Sequence, residues 1–136
     1  MKIIIKIFAI SLVLFTFSSC KKYPNGPSIS LRSRAERVAN NWKMEKVTIN
    51  GTDFTSAYTG INYSETYDKS GNYSYSSSTG SGSGKWEFQN SDKEIKRSGV
   101  KSQSTVTMII LRLKEKSFWY SFTDSGDNYE FHLIPM

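Results

Sequence analysis

The amino terminus of the chain holds a cysteine in a setting that favours one particular chemistry. Lys2 and Lys6 flank the start of an apolar run of about eleven residues (7–17), and two serines then lead to Cys20, the single cysteine of the chain. A basic start, an apolar run and small residues at a cut site form a secretory signal peptide. We therefore expect residues 1–19 to be a signal peptide, and we expect the Cys20 thiol to be the site of lipid attachment.

This arrangement resembles the signal of bacterial lipoproteins, although the third residue before the cysteine is Phe17 rather than the usual aliphatic residue. The alternative is an ordinary signal peptide with an incidental cysteine, but a lone thiol suits an oxidising compartment poorly. The apolar run is shorter than the roughly twenty residues of a membrane-spanning helix. Lys21 follows the cysteine where an Asp would mark inner-membrane retention. The resemblance implies a bacterial cell-envelope protein, anchored by lipid at the periplasmic face of the outer membrane.

Residues suited to catalysis or metal binding are scarce in the rest of the chain. General acid–base catalysis most often uses histidine, and His132 is the single one present. Its position alternates with Phe131 and Leu133, which places it on the outer face of the last predicted strand. A structural zinc site needs three or four Cys, His or carboxylate ligands. With one histidine and with Cys20 modified by lipid, we do not expect such a site. The glycines at 80–84 lack P-loop spacing, and residues 124–127 are typical of a hairpin turn rather than a calcium loop. We expect a non-enzymatic protein with no catalytic residue, metal or cofactor.

Composition predicts one β-rich domain. The chain has 136 residues and a formal net charge of +6, and eight Tyr, eight Phe and three Trp accompany frequent Ser, Thr, Asn and Gly. Aromatic enrichment with many turn residues is typical of antiparallel sheet. The mild basic charge does not call for a nucleic-acid partner. Residues 20–33 contain two prolines and a glycine and are predicted to be a lipidated linker that lifts the domain off the membrane, and residues 34–136 form the domain.

The spacing of apolar and turn residues predicts a small meander barrel. Ser33 and Glu36 have the spacing of a capping box, which predicts a short helix over residues 34–39. Strands with alternating side chains are predicted at 42–49 with a bulge near Lys46, at 61–67, from 73, at 86–88, 94–97, 104–113, 117–122 and 129–133. The Ser/Gly tract at 76–84 is predicted to be a flexible connection that contributes nothing to a core. About eight short strands with short connections favour a closed all-β antiparallel barrel after a short N-terminal helix.

In its strand and turn motifs the chain resembles the lipocalin-like domain of small bacterial envelope lipoproteins. The resemblance covers residues 42–134 and rests on Trp42, Asn50-Gly51-Thr52-Asp53, Asp68-Lys69-Ser70-Gly71-Asn72-Tyr73, Trp86-Glu87-Phe88 and Leu111-Arg112-Leu113 with Phe118-Trp119-Tyr120. Lipocalins proper begin with Gly-x-Trp, whereas this chain has Asn40-Asn41-Trp42. The resemblance implies the barrel fold and the envelope location, and members of this group mostly lack assigned activities.

Alternation in the predicted strands points one set of side chains into the barrel. These inward residues are Tyr63, Glu65, Tyr67, Trp86, Phe88, Phe118, Tyr120 and Phe122. An aromatic set with one carboxylate suits a small amphipathic or hydrophobic ligand, but the same residues could simply fill the barrel. A buried Glu65 needs a partner or solvent. The alternative function is an accessory subunit with a solid barrel, which docks an envelope protein through outer aromatics such as Trp119.

Overall fold

The computed structural model describes residues 22–26, 30–101 and 103–136, so the predicted signal peptide and Cys20 lie outside the described residues. The elements are α1 (Arg34–Val38), β1 (Asn40–Ile49), β2 (Thr52–Asp53), α2 (Thr55–Gly60), β3 (Ser64–Tyr67), β4 (Asn72–Ser77), β5 (Gly80–Gln89), β6 (Glu94–Ser98), β7 (Val106–Lys114), β8 (Ser117–Asp124) and β9 (Asp127–Pro135). None of the helices among these residues has the length and apolar character required to cross a bilayer.

Eight antiparallel strands close into a barrel. β1 and β3 to β9 follow one another as neighbours, β9 pairs back with β1, and the two-residue β2 is added at the edge of β1. The predicted all-β meander barrel is confirmed, as is the short helix before it. Ser33 accepts from the backbone N–H of Glu36 while the Glu36 carboxylate accepts from that of Ser33, which is the predicted capping box.

The first strand carries the predicted irregularity. The register of β1 against β9 shifts between Met44 and Lys46, so the side-chain alternation changes phase there and both Met44 and Val47 are buried. Asn50 and Gly51 both have positive φ, as the predicted hairpin turn requires. The helix α2 was not predicted. It begins one residue after β2, and β3 consequently begins at Ser64 rather than at the predicted residue 61.

The prediction of a flexible Ser/Gly tract at 76–84 is wrong. β4 extends to Ser77 and β5 starts at Gly80, so the tract forms a paired hairpin with a turn at residues 78–79. A Cβ on Gly82 would lie 2.6 Å from the Tyr75 ring, and one on Gly84 would lie 2.3 Å from the Ser98 carbonyl oxygen. These glycines therefore permit close approach of neighbouring chain segments, and sheet hydrogen bonding holds a stretch that composition alone describes as flexible.

The start of the predicted linker is packed on the barrel. Tyr23 is 1% exposed and its hydroxyl donates to the Asp92 carbonyl at 2.9 Å. The Asn25 N–H donates to the Leu111 carbonyl at 2.8 Å. Residues 22–26 are thus held against β7 and the turn before β6, and in this part the chain does not serve as a free spacer.

The strands define two ends of the barrel. The α1 end carries α1, the segment 22–26 and the turns at 68–71, 90–93 and 115–116. The α2 end carries α2, the turns at 50–51, 78–79 and 125–126, and the connection between β6 and β7. The core between them contains the buried aromatic and aliphatic side chains, with Trp42, Phe118 and Leu133 each at 0% exposure.

Candidate functional site

A buried ion pair lies inside the barrel at the centre of a ring of tyrosines. Glu65 on β3 is 0% exposed, and its Oε1 accepts from Arg97 Nη1 at 2.8 Å. The tyrosine hydroxyls that donate to the carboxylate are those of Tyr63 (3.0 Å), Tyr67 (2.9 Å), Tyr73 (3.4 Å) and Tyr120 (2.8 Å). We call these six residues the interior cluster. Its hydrogen bonds and its cation supply the pairing that a buried carboxylate requires.

Burial and the charges of Glu65 and Arg97 shift the pKa values of the side chains in the interior cluster. Burial raises the pKa of Tyr67 and of Tyr120 well above the ordinary tyrosine value, and the negative Glu65 raises both further. Burial opposes the charged form of Arg97, but the Glu65 carboxylate beside it acts in the opposite direction, and the pKa of the guanidinium lies above its ordinary value. The cluster therefore keeps its phenols neutral and its arginine charged across the ordinary pH range.

Aromatic side chains fill the space beside the cluster. The Tyr67 ring lies 5.7 Å from Phe118 and 5.9 Å from Trp86, and Phe118 lies 5.2 Å from Tyr120. The Trp86 Nε1–H donates to the Asp68 carbonyl at 2.9 Å, which satisfies its one donor. This part of the barrel is a packed core in which the rings contact one another edge to face or at a tilt.

The structure brings the eight predicted pocket residues to the interior, as the alternation indicated, but to different depths. Glu65, Tyr67, Trp86, Phe118 and Tyr120 are buried, whereas Tyr63, Phe88 and Phe122 are half-buried at its margins. Phe88 reaches the α1 end, where it stacks edge to face on Trp86 at 5.3 Å. Phe122 lies nearer the α2 end and stacks on Tyr129 at 4.8 Å. A ligand role for these residues stays a prediction.

A small pocket opens in the barrel wall between β1 and β3. β1 pairs with β3 only from Asn40 to Lys43. Beyond Lys43, α2 covers this side of β1, and the N–H of Phe54, the residue before α2, donates to the Val47 carbonyl at 2.9 Å. The pocket at this gap has a volume of about 240 Å³. We call it the β1–β3 pocket, and it is lined by Lys43, Met44, Thr59, Asn62, Tyr63, Ser64 and Met136.

The β1–β3 pocket combines an apolar surface with one cation. Met44 and Met136 offer flexible thioether side chains, and Tyr63 forms an aromatic wall. Lys43 lines the same opening and is the one charged side chain among the described residues of its lining. Of the eight predicted pocket residues, only Tyr63 lines this opening, and its hydroxyl connects the pocket to Glu65 at 3.0 Å.

His132 lies on the outer surface, as predicted. Its ring stacks on Trp119 with centroids 3.8 Å apart and nearly parallel planes, and its Nε2 lies 2.7 Å from Glu130 Oε1. The Arg112 guanidinium covers the other face of Trp119 at 4.1 Å. Trp119 is therefore held between two side chains on the outer wall, and its buried Nε1 has no acceptor among the residues that the structure describes.

The cation of the interior cluster, Arg97, was not among the predicted interior residues. Ile95 and Arg97 share one face of β6, and Ile95 is 0% exposed. That alternation was readable from the sequence and would have placed Arg97 inside, opposite Glu65. Tyr73 follows from the same argument on β4. Tyr58 on α2 packs on Phe131 at 5.3 Å, and the missed helix concealed it.

No cluster of three or more His, Cys, Asp or Glu side chains suited to a metal ion occurs within residues 22–26, 30–101 and 103–136. No known family model and no curated protein matches this chain. The lipocalin-like resemblance accordingly stays a prediction from the motifs, whereas the closed eight-stranded barrel is an observed property of the structure.

Proposed function

We propose that this protein is a lipid-anchored lipoprotein of the bacterial cell envelope whose barrel binds a small amphipathic ligand. The β1–β3 pocket carries the proposal, because a lysine lines it together with two methionines and a tyrosine. Its volume of about 240 Å³ lies below the roughly 300–1,000 Å³ of pockets for drug-sized ligands. The ligand we infer is therefore an anionic head group with a short apolar part, or one end of a longer amphiphile.

The anchor in this proposal is a lipid on Cys20. The basic start, the short apolar run and the two serines before this cysteine support it. Two or more acyl chains make such attachment effectively stable. The proposed location is the outer membrane, with the periplasmic face preferred because Lys21 rather than an acidic residue follows the cysteine.

Binding rather than catalysis is proposed because the one histidine lies on the outer wall. His132 is stacked on Trp119 and faces Glu130 there, and it does not line the β1–β3 pocket. A general base has to reach the proton that it removes. The residues that line the pocket include one lysine, one asparagine and three hydroxyl-bearing side chains, and these residue types suit recognition of an anion.

A second candidate function rests on the packed interior. Five of the eight predicted pocket residues are buried against one another, and Glu65 already has its partners within the barrel. This packing favours an accessory subunit that docks an envelope protein with its outer wall. The stack of Arg112, Trp119 and His132 offers Trp and Arg side chains, which are common in interface hot spots.

Lipid attachment is tested in bacterial cells that are supplied with an alkyne-bearing fatty acid. The wild-type chain should incorporate the label and sediment with membranes, whereas Cys20→Ala should do neither. Label retained by Cys20→Ala would contradict the anchor.

Ligand binding is tested by calorimetric titration of a chain that begins at residue 20 and carries Cys20→Ala, with a medium-chain fatty acid as the probe. Lys43→Gln should weaken binding on the order of tenfold, because a charged hydrogen bond contributes about 1.5–3 kcal/mol. Lys46→Gln, on the same strand but outside the pocket, is the matched control. The absence of saturable binding would favour the accessory subunit. In that case, a photo-crosslinker at position 119 should capture a protein partner in intact envelopes.

A further inference from the structure

The α1 end of the barrel is the end nearest to the predicted anchor. Tyr23 is 1% exposed and is fixed by its hydrogen bond to the Asp92 carbonyl. Three residue steps separate Cys20 from Tyr23, and an extended chain covers at most about 11 Å in that number of steps. A lipid on Cys20 would hold the α1 end directly against a bilayer. The position of the bilayer relative to this end rests on the proposed anchor, whereas the charge and apolar surface of the α1 end do not.

Charge is distributed unevenly between the two ends. The α1 end carries eight cations, at Lys22, Arg32, Arg34, Arg37, Lys69, Lys93, Lys114 and Lys116, against five carboxylates, at Glu36, Asp68, Asp92, Glu94 and Glu115. The α2 end carries the carboxylates of Asp53, Asp124 and Asp127 against Lys101 in its described residues. Cations grouped at one end of a domain attract it to a negatively charged surface.

The three arginines among these cations line one groove at the α1 end. The groove has a volume of about 480 Å³, and Arg32, Arg34 and Arg37 line it together with two serines, Phe88 and Asp92. Arg34 pairs with Asp92 at 2.7 Å, and Arg32 pairs with Glu115 at 3.2 Å. The groove thus keeps an excess of positive charge.

Arg37 is the cation of this groove that lacks a carboxylate partner. It is 8% exposed, its Nη1 donates to the Leu113 carbonyl at 2.6 Å, and no carboxylate within the described residues lies within 4.0 Å of its nitrogens. Its Nε also has no acceptor in this part of the chain. A buried cation without a counter-charge is destabilising. An anion bound in the groove would supply the missing negative charge.

An apolar side chain stands beside the same groove. Leu31 is fully exposed, and it lies directly between Ser30 and Arg32, which both line the groove. Burying a leucine side chain contributes about 1.5–3 kcal/mol. An exposed leucine flanked by arginines is suited to the boundary between lipid head groups and acyl chains, where the apolar side chain leaves water while the cations stay with phosphates.

We propose that the α1 end is a binding surface for an anionic phospholipid bilayer, with a head-group phosphate in the groove of Arg32, Arg34 and Arg37 and with Leu31 inserted among the acyl chains. The barrel then stands on the membrane with its α2 end directed away. The acidic carboxylates of the α2 end are kept at a distance from the negatively charged surface.

The experiment uses the chain from residue 20 with Cys20→Ala, so that neither the apolar leader nor a lipid contributes to binding. The buried core residues of the structure lie between Tyr23 and Leu133, so this chain retains the folded unit. It is sedimented with phosphatidylcholine vesicles and with vesicles that also contain phosphatidylglycerol. We expect binding to the anionic vesicles that weakens as salt is added. Equal binding to both vesicles, or none to either, would overturn the proposal and would leave the acylation test of Cys20 unaffected.

Two variants locate the contact on the molecule. Arg32→Gln with Arg34→Gln should weaken binding at least tenfold, since each surface cation contributes about 1 kcal/mol near an anionic membrane. The matched control is Lys46→Gln with Lys101→Gln, which removes the same charge away from the α1 end and should leave binding unchanged. Leu31→Ser should weaken binding about tenfold, and its thermal melt should match that of the parent chain because Leu31 is fully exposed.

The source of the phosphate is distinguished in the same assay. Inorganic phosphate at matched ionic strength should displace little protein from the vesicles, because it offers no site for Leu31. If inorganic phosphate binds the groove and the vesicles do not, the groove is a free-anion site and the membrane surface is excluded. Equal losses in the two double variants would show attraction by net charge alone and would also overturn the proposal.

Discussion

Arg97 Nη1 lies 2.8 Å from Glu65 Oε1, and the two side chains are 10% and 0% exposed. This pair joins β6 to β3 across the interior of the barrel, and tyrosine hydroxyls occupy further positions around the carboxylate. A closed barrel with an apolar interior could fold without it. We expect the pair to act as a fixed polar centre that favours one arrangement of the strands around it.

Breaking this pair should destabilise the fold strongly. Glu65→Gln keeps the shape of the side chain but leaves the buried Arg97 without its counter-charge, and we expect a loss of about 3–5 kcal/mol in the free energy of unfolding. Urea denaturation measures it. The double variant with Arg97→Met should lose less than the two single variants combined, because it removes both charges. Additive losses would show that the two side chains act independently.

The hydroxyl of Tyr120 should contribute measurably through its 2.8 Å hydrogen bond to Glu65. Tyr120→Phe removes one charge-assisted hydrogen bond and should cost about 1.5–3 kcal/mol. Tyr75→Phe is the control, since the Tyr75 hydroxyl has no hydrogen bond to the described residues in the structure. It should change the midpoint of urea unfolding little. Equal effects of the two variants would assign the loss to packing rather than to the carboxylate.

Alkaline pH should unfold the protein. Burial raises the pKa of Tyr23 to about 12 and raises the pKa of Tyr67 and Tyr120 well above the ordinary value of about 10. Because the folded-state pKa is higher, the stability from these phenols is fully present below about pH 10 and decreases as the pH rises above it. Tyrosinate absorbance of these residues should therefore appear together with the loss of circular dichroism. Their complete ionisation in a still-folded barrel would contradict this prediction.

Gly82 and Gly84 of the β4–β5 hairpin should tolerate no side chain. Gly84→Ala places a Cβ 2.3 Å from the Ser98 carbonyl oxygen and 3.0 Å from the Val100 amide nitrogen, so backbone must move. We expect a loss of about 1–3 kcal/mol in chemical denaturation. Gly60→Ala is the matched control on α2, because a Cβ there meets nothing within 4 Å. That variant should be neutral or stabilising by up to about 1 kcal/mol.

The local features of the fold were predictable because they depend on neighbouring residues. The capping box of Ser33 and Glu36 satisfies amides only a few positions apart, and the Asn50-Gly51 turn depends on the φ angles of its own two residues. Strand alternation likewise placed Glu65, Tyr67, Phe118 and Tyr120 inside, since side chains on a strand alternate with a period of two. These features needed no knowledge of the strand partners.

Other features depended on contacts between distant parts of the chain. Composition alone describes the tract at 76–84 as flexible, but its pairing and the approach of Tyr75 and Val100 order it. Tyr23 is buried because the turn near Asp92 and β7 offer it a site, whereas the two prolines that follow it in the sequence indicate only an irregular chain. Arg97 and Glu65 lie 32 positions apart in sequence.

The candidate sites also differ in whether they depend on neighbouring residues or on distant parts of the chain. Cys20 could be singled out from its own neighbours, because signal recognition reads a short continuous segment. The β1–β3 pocket arises where β3 is too short to cover β1, and the arginine groove arises where α1 meets the turn before β6. Both are formed by segments that only the closed barrel brings together. The sequence alone determined the strand alternation and the predicted anchor, while tertiary structure decided which side chains meet, because barrel closure sets those distances.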